Sequence, residues 1–435
     1  MRCGIFILAS LRAALTRAMT TTCAKTSTAS AFTALAERKR SFLDAATADT
    51  AANAWTVAVG NSAGDLDSLA SALAVAHVRG GVAVARFNAG DLALRKDCAL
   101  ALEAAGAASD AIVFADDLSP DVVATRSGAA LALTDHNRLD WPVLGENVVS
   151  VVDHHRDERA HLDAADREVD DAAGSASSLV AERMFEAGEP DADVAALLLA
   201  ALAVDCRGFD PAERGKKFSP RDVAAAHALL DAMGSRVDAD RSEDALRSRT
   251  LPRAFDGATT LPAVAKVLFA ARHDTSGLDA SQLLDLDYKQ ASAAGLQIGA
   301  ASILATYGDF EERAGGAEGL YAAMRAKAAD RGVDVLVAMS QVDKATGLRG
   351  LGYVAAPDAK AGAADAFAAV ERGLEAAPAS LPEDLRTASL FVQQDIVGAG
   401  FGVAFADRGG LRYTAVRAAT SRKTLLPTIL HFSEA

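Results

Sequence analysis

The sequence predicts an α/β protein, with an N-terminal domain on a mostly parallel sheet and a smaller C-terminal α/β domain. Three observations carry that expectation. Short apolar β-like runs alternate with helical patterns from about residue 38 to residue 210. Apolar residues make up 51% of the 435, alanine dominates them and aromatics are only 5%, a composition that suits helices packed on a sheet. A charged, polar stretch over 236–260 lacks any long apolar run and separates two such patterns.

The elements follow in order. AERKRSFLDAATA reads as a short helix, and WTVAVG (55–60) as the first strand. SLASALAVAHVR after Asp67 reads as a helix, with Ser68 or Asp67 as its cap. VAVARFN is a second strand, CALALEAAG a helix closed by Gly106, and AIVFAD a third strand. ALALTD and VVSVVD follow as the fourth and fifth strands, and SASSLVAERMFEAG as a helix. DVAALLLAALAVD is expected to pass from helix into a β-like run ending at Asp205. The second pattern opens with AVAKVLFAA. It offers GLQIGAASILATY, DVLVAMSQV and ASLFVQQD as strands, and LYAAMRAKAADRG and AADAFAAVERGLEAA as helices. The expected organisation is a tail over 1–37, a catalytic domain over 38–235, a linker over 236–262 and a substrate-binding domain over 263–435.

The formal net charge of −14 argues against a dedicated nucleic-acid binder, which needs a basic face. It leaves an anionic substrate open, because bound metals and local cations invert the local field. Cys3, Cys23, Cys98 and Cys206 are scattered without a C-x-x-C, so a reducing compartment is expected. Residues 1–36 hold Arg2, Arg12, Arg17 and Lys25 but no acid, which resembles a mitochondrial or plastid transit peptide. A start at Met19 with a disordered tail is the alternative, and a cytoplasmic protein is then expected. No uninterrupted apolar run approaches the ~18–20 residues of a membrane span, so no membrane partner is expected.

The chemistry concentrates at the ends of four apolar runs. GNSAGDLDS gives Asn61, Asp65 and Asp67; TDHN gives Asp135 and His136; VVDHH gives Asp153, His154 and His155; LAVD gives Asp205. Two aspartates two residues apart in a glycine-containing loop can reach two different metals. A turn that caps the next helix is the plainer reading of that loop alone. No G-K-[ST] follows, so it is not a P-loop. Asp135 can bridge two ions, and His136 is either a ligand or its support. Adjacent His154 and His155 can diverge, one toward a metal and the other toward substrate. In an open α/β sheet ligands bind beyond the carboxyl ends of the strands. Acids and imidazoles from four strand ends would there build a dinuclear site.

These four segments, in this order over roughly residues 55–210, resemble the motifs of the DHH phosphoesterase superfamily. In the second half, LDLDYKQ (Asp287, Tyr288, Lys289), IGAASI and SRKTLLPTI resemble the second type of DHH-associated domain. That type occurs in manganese-dependent inorganic pyrophosphatases and in exopolyphosphatases of the yeast and Prune kind. The late G-G-G-H of the exonuclease branch is absent. The pyrophosphatases have a histidine where this chain has Asn61, and the exopolyphosphatase and Prune branch has G-N there. LALRKD (Arg95, Asp97) and KFSPRD (Lys217, Asp222) fit the same resemblance.

The resemblance implies a two-metal hydrolase of phosphoanhydrides with its active site in an interdomain cleft. Inorganic polyphosphate is the first substrate; pyrophosphate or a small phosphoester, or a partner-binding scaffold, is the alternative. Asp65 would hold one metal, with Asn61 beside it. Asp67, His154 and Asp205 would hold the other, and Asp135 would bridge. His155, Asn61 and His136 are the catalytic candidates, and Lys289, Arg422 and Lys423 would clamp phosphate oxygens. With an amide replacing an imidazole, the site should favour magnesium, with manganese or cobalt as alternatives.

Overall fold

The computed structural model describes residues 30–44, 55–188, 190–234, 239–293, 295–359, 406–408 and 411–417. It divides into two compact units, Met1–Asp274 and Thr275–Ala435.

In the first unit α1 (Ala31–Leu43) precedes β1 (Thr56–Val59), α2 (Leu66–Arg79) and β2 (Val82–Ala85). Then come α3 (Lys96–Ala105), β3 (Ile112–Phe114), α4 (Pro120–Arg126), β4 (Ala130–Thr134), β5 (Val148–Asp153) and β6 (Asp166–Val169). The helices α5 (Ala176–Glu186), α6 (Ala192–Asp205), α7 (Pro220–Ala232), α8 (Glu243–Ser248) and α9 (Leu261–His273) complete it. The six strands form one parallel sheet in the order β3-β2-β1-β4-β5-β6.

Side chains on these strands alternate between two cores, as the two-residue repeat of a strand dictates. Ala58, Ala83, Ala132 and Val152 pack with α2, α5, α6 and α7 in the larger core. Val57, Val59, Val84, Leu131, Leu133 and Val151 pack on the other face with Phe42 and Val122. Both faces of β1 to β4 are buried, so these strands read as continuous apolar runs, whereas the edge strand β6 is charged and half-buried. The buried Arg126 side chain ties the end of α1 to the end of α4, donating from Nε to the Phe42 carbonyl at 2.9 Å and from Nη2 to Asp44 O at 3.1 Å.

Two sequence expectations need correction here. Asp205 closes an α-helix, α6, and not a β-like run. That helix is buried on every side, so it carries no polar stripe and its 3.6-residue period is invisible in the sequence. The cap of α2 is Asp65, whose side chain accepts from Ser68 N at 3.1 Å; neither Asp67 nor Ser68 fills that role.

The second unit holds α10 (Ala280–Leu286), β7 (Tyr288–Ala293), β8 (Leu296–Ser302), α11 (Tyr307–Arg313) and α12 (Ala317–Asp330). β9 (Val335–Asp343), β10 (Leu348–Ala355), β11 (Ala406–Arg408) and β12 (Leu411–Arg417) follow. Its sheet runs β11-β12-β10-β9-β8-β7, with β8 and β9 parallel and the other neighbours antiparallel. GLQIGAAS and DVLVAMSQV are strands as expected, and the LYAAMRAKAAD segment is helical. The helix expected over 363–377 and the strand expected over 388–395 lie outside the described residues. Among the described residues no helix is long and apolar enough to cross a membrane.

The turn between α2 and β2 has no room for a side chain. A Cβ at Gly81 would lie 2.1 Å from the Thr56 carbonyl oxygen. Gly81→Ala should therefore destabilise the protein by about 1–3 kcal/mol, the usual cost of overpacking. Chemical denaturation monitored by circular dichroism would check this; an unchanged midpoint would contradict it.

Candidate metal centre

The strand order reverses between β1 and β4, with β2 and β3 to one side and β5 and β6 to the other. Loops leaving the two central strands diverge there and open a crevice at the carboxyl ends. Asn61 to Asp67 follow β1, Asp135 to Asn137 follow β4, and Asp153 to His155 close β5.

The first loop is held from within. Asn61 Oδ1 accepts from the backbone of Ala63 at 2.9 Å and Gly64 at 3.2 Å. Its amide therefore faces outward and donates to Asp135 Oδ2 at 2.6 Å and to Asp135 O at 3.2 Å. Arg95, stacked on Phe87, binds the Ala63 and Gly64 carbonyls from the far side, each at 3.2 Å. Gly64 has a φ of +57°, and a Cβ there would meet the Phe87 ring at 2.5 Å. Asp67 is buried and aimed at the first turn of α5. It accepts from Ala176 N at 2.7 Å, Ser177 N at 2.8 Å and Ser177 Oγ at 2.6 Å. A carboxylate at a helix N-terminus is stabilised by the unpaired N–H groups and the dipole.

Asp135 sits at the centre, 1% exposed, with a φ of 60°. That left-handed conformation costs about 1–3 kcal/mol in a non-glycine residue and persists only where its surroundings over-determine it. They do so here: Asp135 N donates to Val152 O at 2.9 Å while Asn61 holds its carbonyl and Oδ2. Oδ1 is buried without a hydrogen bond. It lies 3.3 Å from His154 Nε2 and 3.4 Å from His155 Nδ1. His154 Nδ1 is 3.2 Å from the Ala173 carbonyl, which turns Nε2 toward Asp135 and Asp67. His155 Nδ1 is 2.8 Å from Asp153 Oδ1. Asp153 is itself held by Asn137, whose Nδ2 donates at 2.5 Å.

The electrostatics show a cluster short of positive charge. Burial, then Asp67 and Asp65, push Asp135 well above the ordinary carboxylate range. Burial, then Asp67, raise Asp205 to about 7, with Arg272 opposing. Burial works against a charged His154, yet Asp135, Asp67 and Asp205 together raise it to about 10. Asp153 goes the other way: burial opposes, but His155 and Asn137 hold it low. His136 stands apart. Its Nδ1 is 2.9 Å from the Thr134 carbonyl, its Nε2 is buried without a partner, and burial and then Arg86 lower it to about 4.

Asp135, His154 and His155 each offer a ligand atom within 4.8 Å of the others, and the carboxylates of Asp65, Asp67 and Asp205 act on the same groups. The orphaned Asp135 oxygen and this oxygen-rich donor set fit hard divalent cations. Lys289 lies in the second unit on β7, in register with Ala300. Arg422 and Lys423 lie outside the described residues. Residues given no such role from the sequence also shape the site: Asn137 orients Asp153, Arg95 clamps the loop, and Arg272 pairs with Asp97 at 2.7 Å beside Asp65 and Asp205. Asn137 and the RKD segment were visible as motif members, but their partners are distant in sequence.

The DHHA2 domain model matches residues 266–432. Exopolyphosphatase PRUNE1 of Bos taurus is 29% identical over 300 residues, covering 65% of this chain and 59% of the relative, so the chain spans well under two thirds of that protein's length. A Schizosaccharomyces pombe protein named as an exopolyphosphatase is 32% identical over 154 residues, covering 33% of this chain and 40% of its own. A Methanococcus jannaschii protein named as a family II inorganic pyrophosphatase has a TM-score of 0.53 at 15% identity, covering 87% of this chain and 99% of that one. At that identity the likeness is one of fold.

A divalent ion entering this cluster must displace the proton on His154 and the fraction remaining on Asp205. Affinity for Mn2+ should therefore rise between pH 6 and pH 8, by up to about tenfold per pH unit for each proton displaced. Titration calorimetry at three pH values, in buffers of different ionisation enthalpy, measures both slope and proton release. A pH-independent affinity would contradict the assignment.

Proposed function

We propose that this chain, a member of the DHH superfamily in its exopolyphosphatase and Prune-like branch with a DHHA2 domain, is a metal-dependent exopolyphosphatase releasing orthophosphate from inorganic polyphosphate. One observation carries the reading. The buried Asp135 oxygen, which makes no hydrogen bond, faces two imidazoles among carboxylates whose charges raise its pKa. A folded protein keeps such a cluster only where cations complete it.

Asp65 and Asp135 would hold one divalent ion, and Asp135, Asp67, His154 and Asp205 a second. Such a pair supplies an activated water and neutralises phosphoryl charge. The protein's own groups do the rest. Asn61 and the β4 end keep Asp135 from rotating away. Asp153 accepts from His155 Nδ1, so the ring presents Nε2 and its positive form is stabilised when a proton arrives there. His155 is thus suited to meet a terminal phosphate oxygen. Lys289, Arg422 and Lys423 are proposed as phosphate-binding cations on their motifs alone. Asn61 turns its amide hydrogens to Asp135 and spends its oxygen on the loop, so it adds no soft ligand. Magnesium is favoured for that reason, with manganese or cobalt able to replace it.

Orthophosphate release with Mg2+ should be strong from long polyphosphate and tripolyphosphate and weak from pyrophosphate. Dominant pyrophosphate cleavage would replace the substrate assignment. Silence on all three, repeated with Mn2+ and Co2+, would contradict the activity. Asp135→Ala and His154→Ala should abolish release while circular dichroism stays unchanged, and full activity in either would remove that ligand from the site. Lys289→Ala should raise KM about tenfold or more, the worth of one charged hydrogen bond, with a smaller effect on kcat.

A further inference from the structure

Behind the site lies a further carboxylate that no role above uses. Asp222 sits in the first turn of α7 and is fully buried. Its helix-capping partners are Ser219 N at 2.7 Å and Ser219 Oγ at 2.8 Å, both on Oδ2. Two further donors come from elsewhere. Gly174 N lies 3.0 Å from both oxygens, and Ser178 Oγ donates to Oδ1 at 2.5 Å. Capping a helix explains the first pair and leaves the second unexplained.

Gly174 and Ser178 belong to a short strap over 173–178, and that strap carries the partners of two ligands. Ala173 O takes His154 Nδ1 at 3.2 Å. Ala176 N, Ser177 N and Ser177 Oγ take both oxygens of Asp67. The strap is also pressed against the end of α6, which carries Asp205. A Cβ at Gly174 would lie 2.1 Å from Lys217 O and 2.9 Å from Cys206 Sγ, and Cys206 follows Asp205. Arg221, next to Asp222, anchors the approach to the strap by donating to Asp170 at 2.7 Å.

We propose that Asp222 is a positioning residue of the metal centre, acting through the 173–178 strap to set the ring of His154 and the carboxylate of Asp67. The proposal rests on the metal-centre reading above. Groups that orient ligands without touching the ion typically change metal affinity by about 10–100-fold. A purely structural helix cap would lower stability and leave affinity alone.

The test is Mn2+ titration by calorimetry on the full chain, with folding followed by circular dichroism. Asp222→Ala should weaken Mn2+ binding by about 10–100-fold. Ser219→Ala removes one cap bond but no strap contact, and should lower Tm while keeping wild-type affinity. Ser178→Ala removes one strap contact and leaves the cap, so it should weaken affinity even if Asp222→Ala does not fold. Wild-type affinity in Ser178→Ala, or in a folded Asp222→Ala, overturns the proposal and leaves the metal centre standing. Equal losses in Ser219→Ala and Ser178→Ala overturn it in favour of a cap effect. A wild-type chain that binds no Mn2+ overturns both readings.

Discussion

Unmet negative charge at the carboxyl end of the first sheet is the constraint on which the rest of the structure depends. Asp135 is buried, feels the charges of Asp67 and Asp65, and has only the imidazoles of His154 and His155 beside its Oδ1. Removing carboxylates from water and setting them side by side is costly unless other charges complete them. The chain answers part of that cost itself. The N-terminus of α5 meets Asp67, Asn61 meets Asp135, and Arg272 faces Asp65 and Asp205. What these leave unanswered is what the proposed divalent cations would supply.

The parallel sheet makes such a concentration of charge attainable. Reversal of strand order between β1 and β4 separates two loops and leaves room for ligands from both. Helix α6 then brings Asp205 up from the larger core, and its fully buried body gives that residue little freedom. Strain at Asp135 is part of the same arrangement. A left-handed backbone, tied through its N–H, carbonyl and side chain, points one oxygen at the imidazoles and holds it there. Preorganisation of this kind spares the site reorganisation when charge arrives.

Much of this was legible in the sequence. Strands ending in acids or imidazoles could be read from WTVAVG, ALALTD and VVSVVD, because buried parallel strands are continuous apolar runs with abrupt polar ends. DVAALLLAALAVD misled for the same physical reason: a helix buried all round also lacks a polar stripe. Supporting contacts were less legible. Asp222 meets Gly174 across a span of 48 residues, and Asn61 meets Asp135 across 74. Nothing in local pattern announces such pairs. Asn61 in particular looked like a ligand-side amide, and only the loop hydrogen bonds reveal that its oxygen turns inward. β6, β7, β10, β11 and β12 went unread; β6 is charged and half-buried at a sheet edge, and glycines interrupt β10.

The central claim is that Asp135 joins two ions in one centre. Electron paramagnetic resonance of the metal-free chain titrated with Mn2+ tests it most directly. The signal of isolated Mn2+ should give way to an exchange-coupled pair as a second equivalent binds, and Asp135→Ala should abolish the coupling. A spectrum of isolated ions at saturation, or coupling that survives Asp135→Ala, would contradict it.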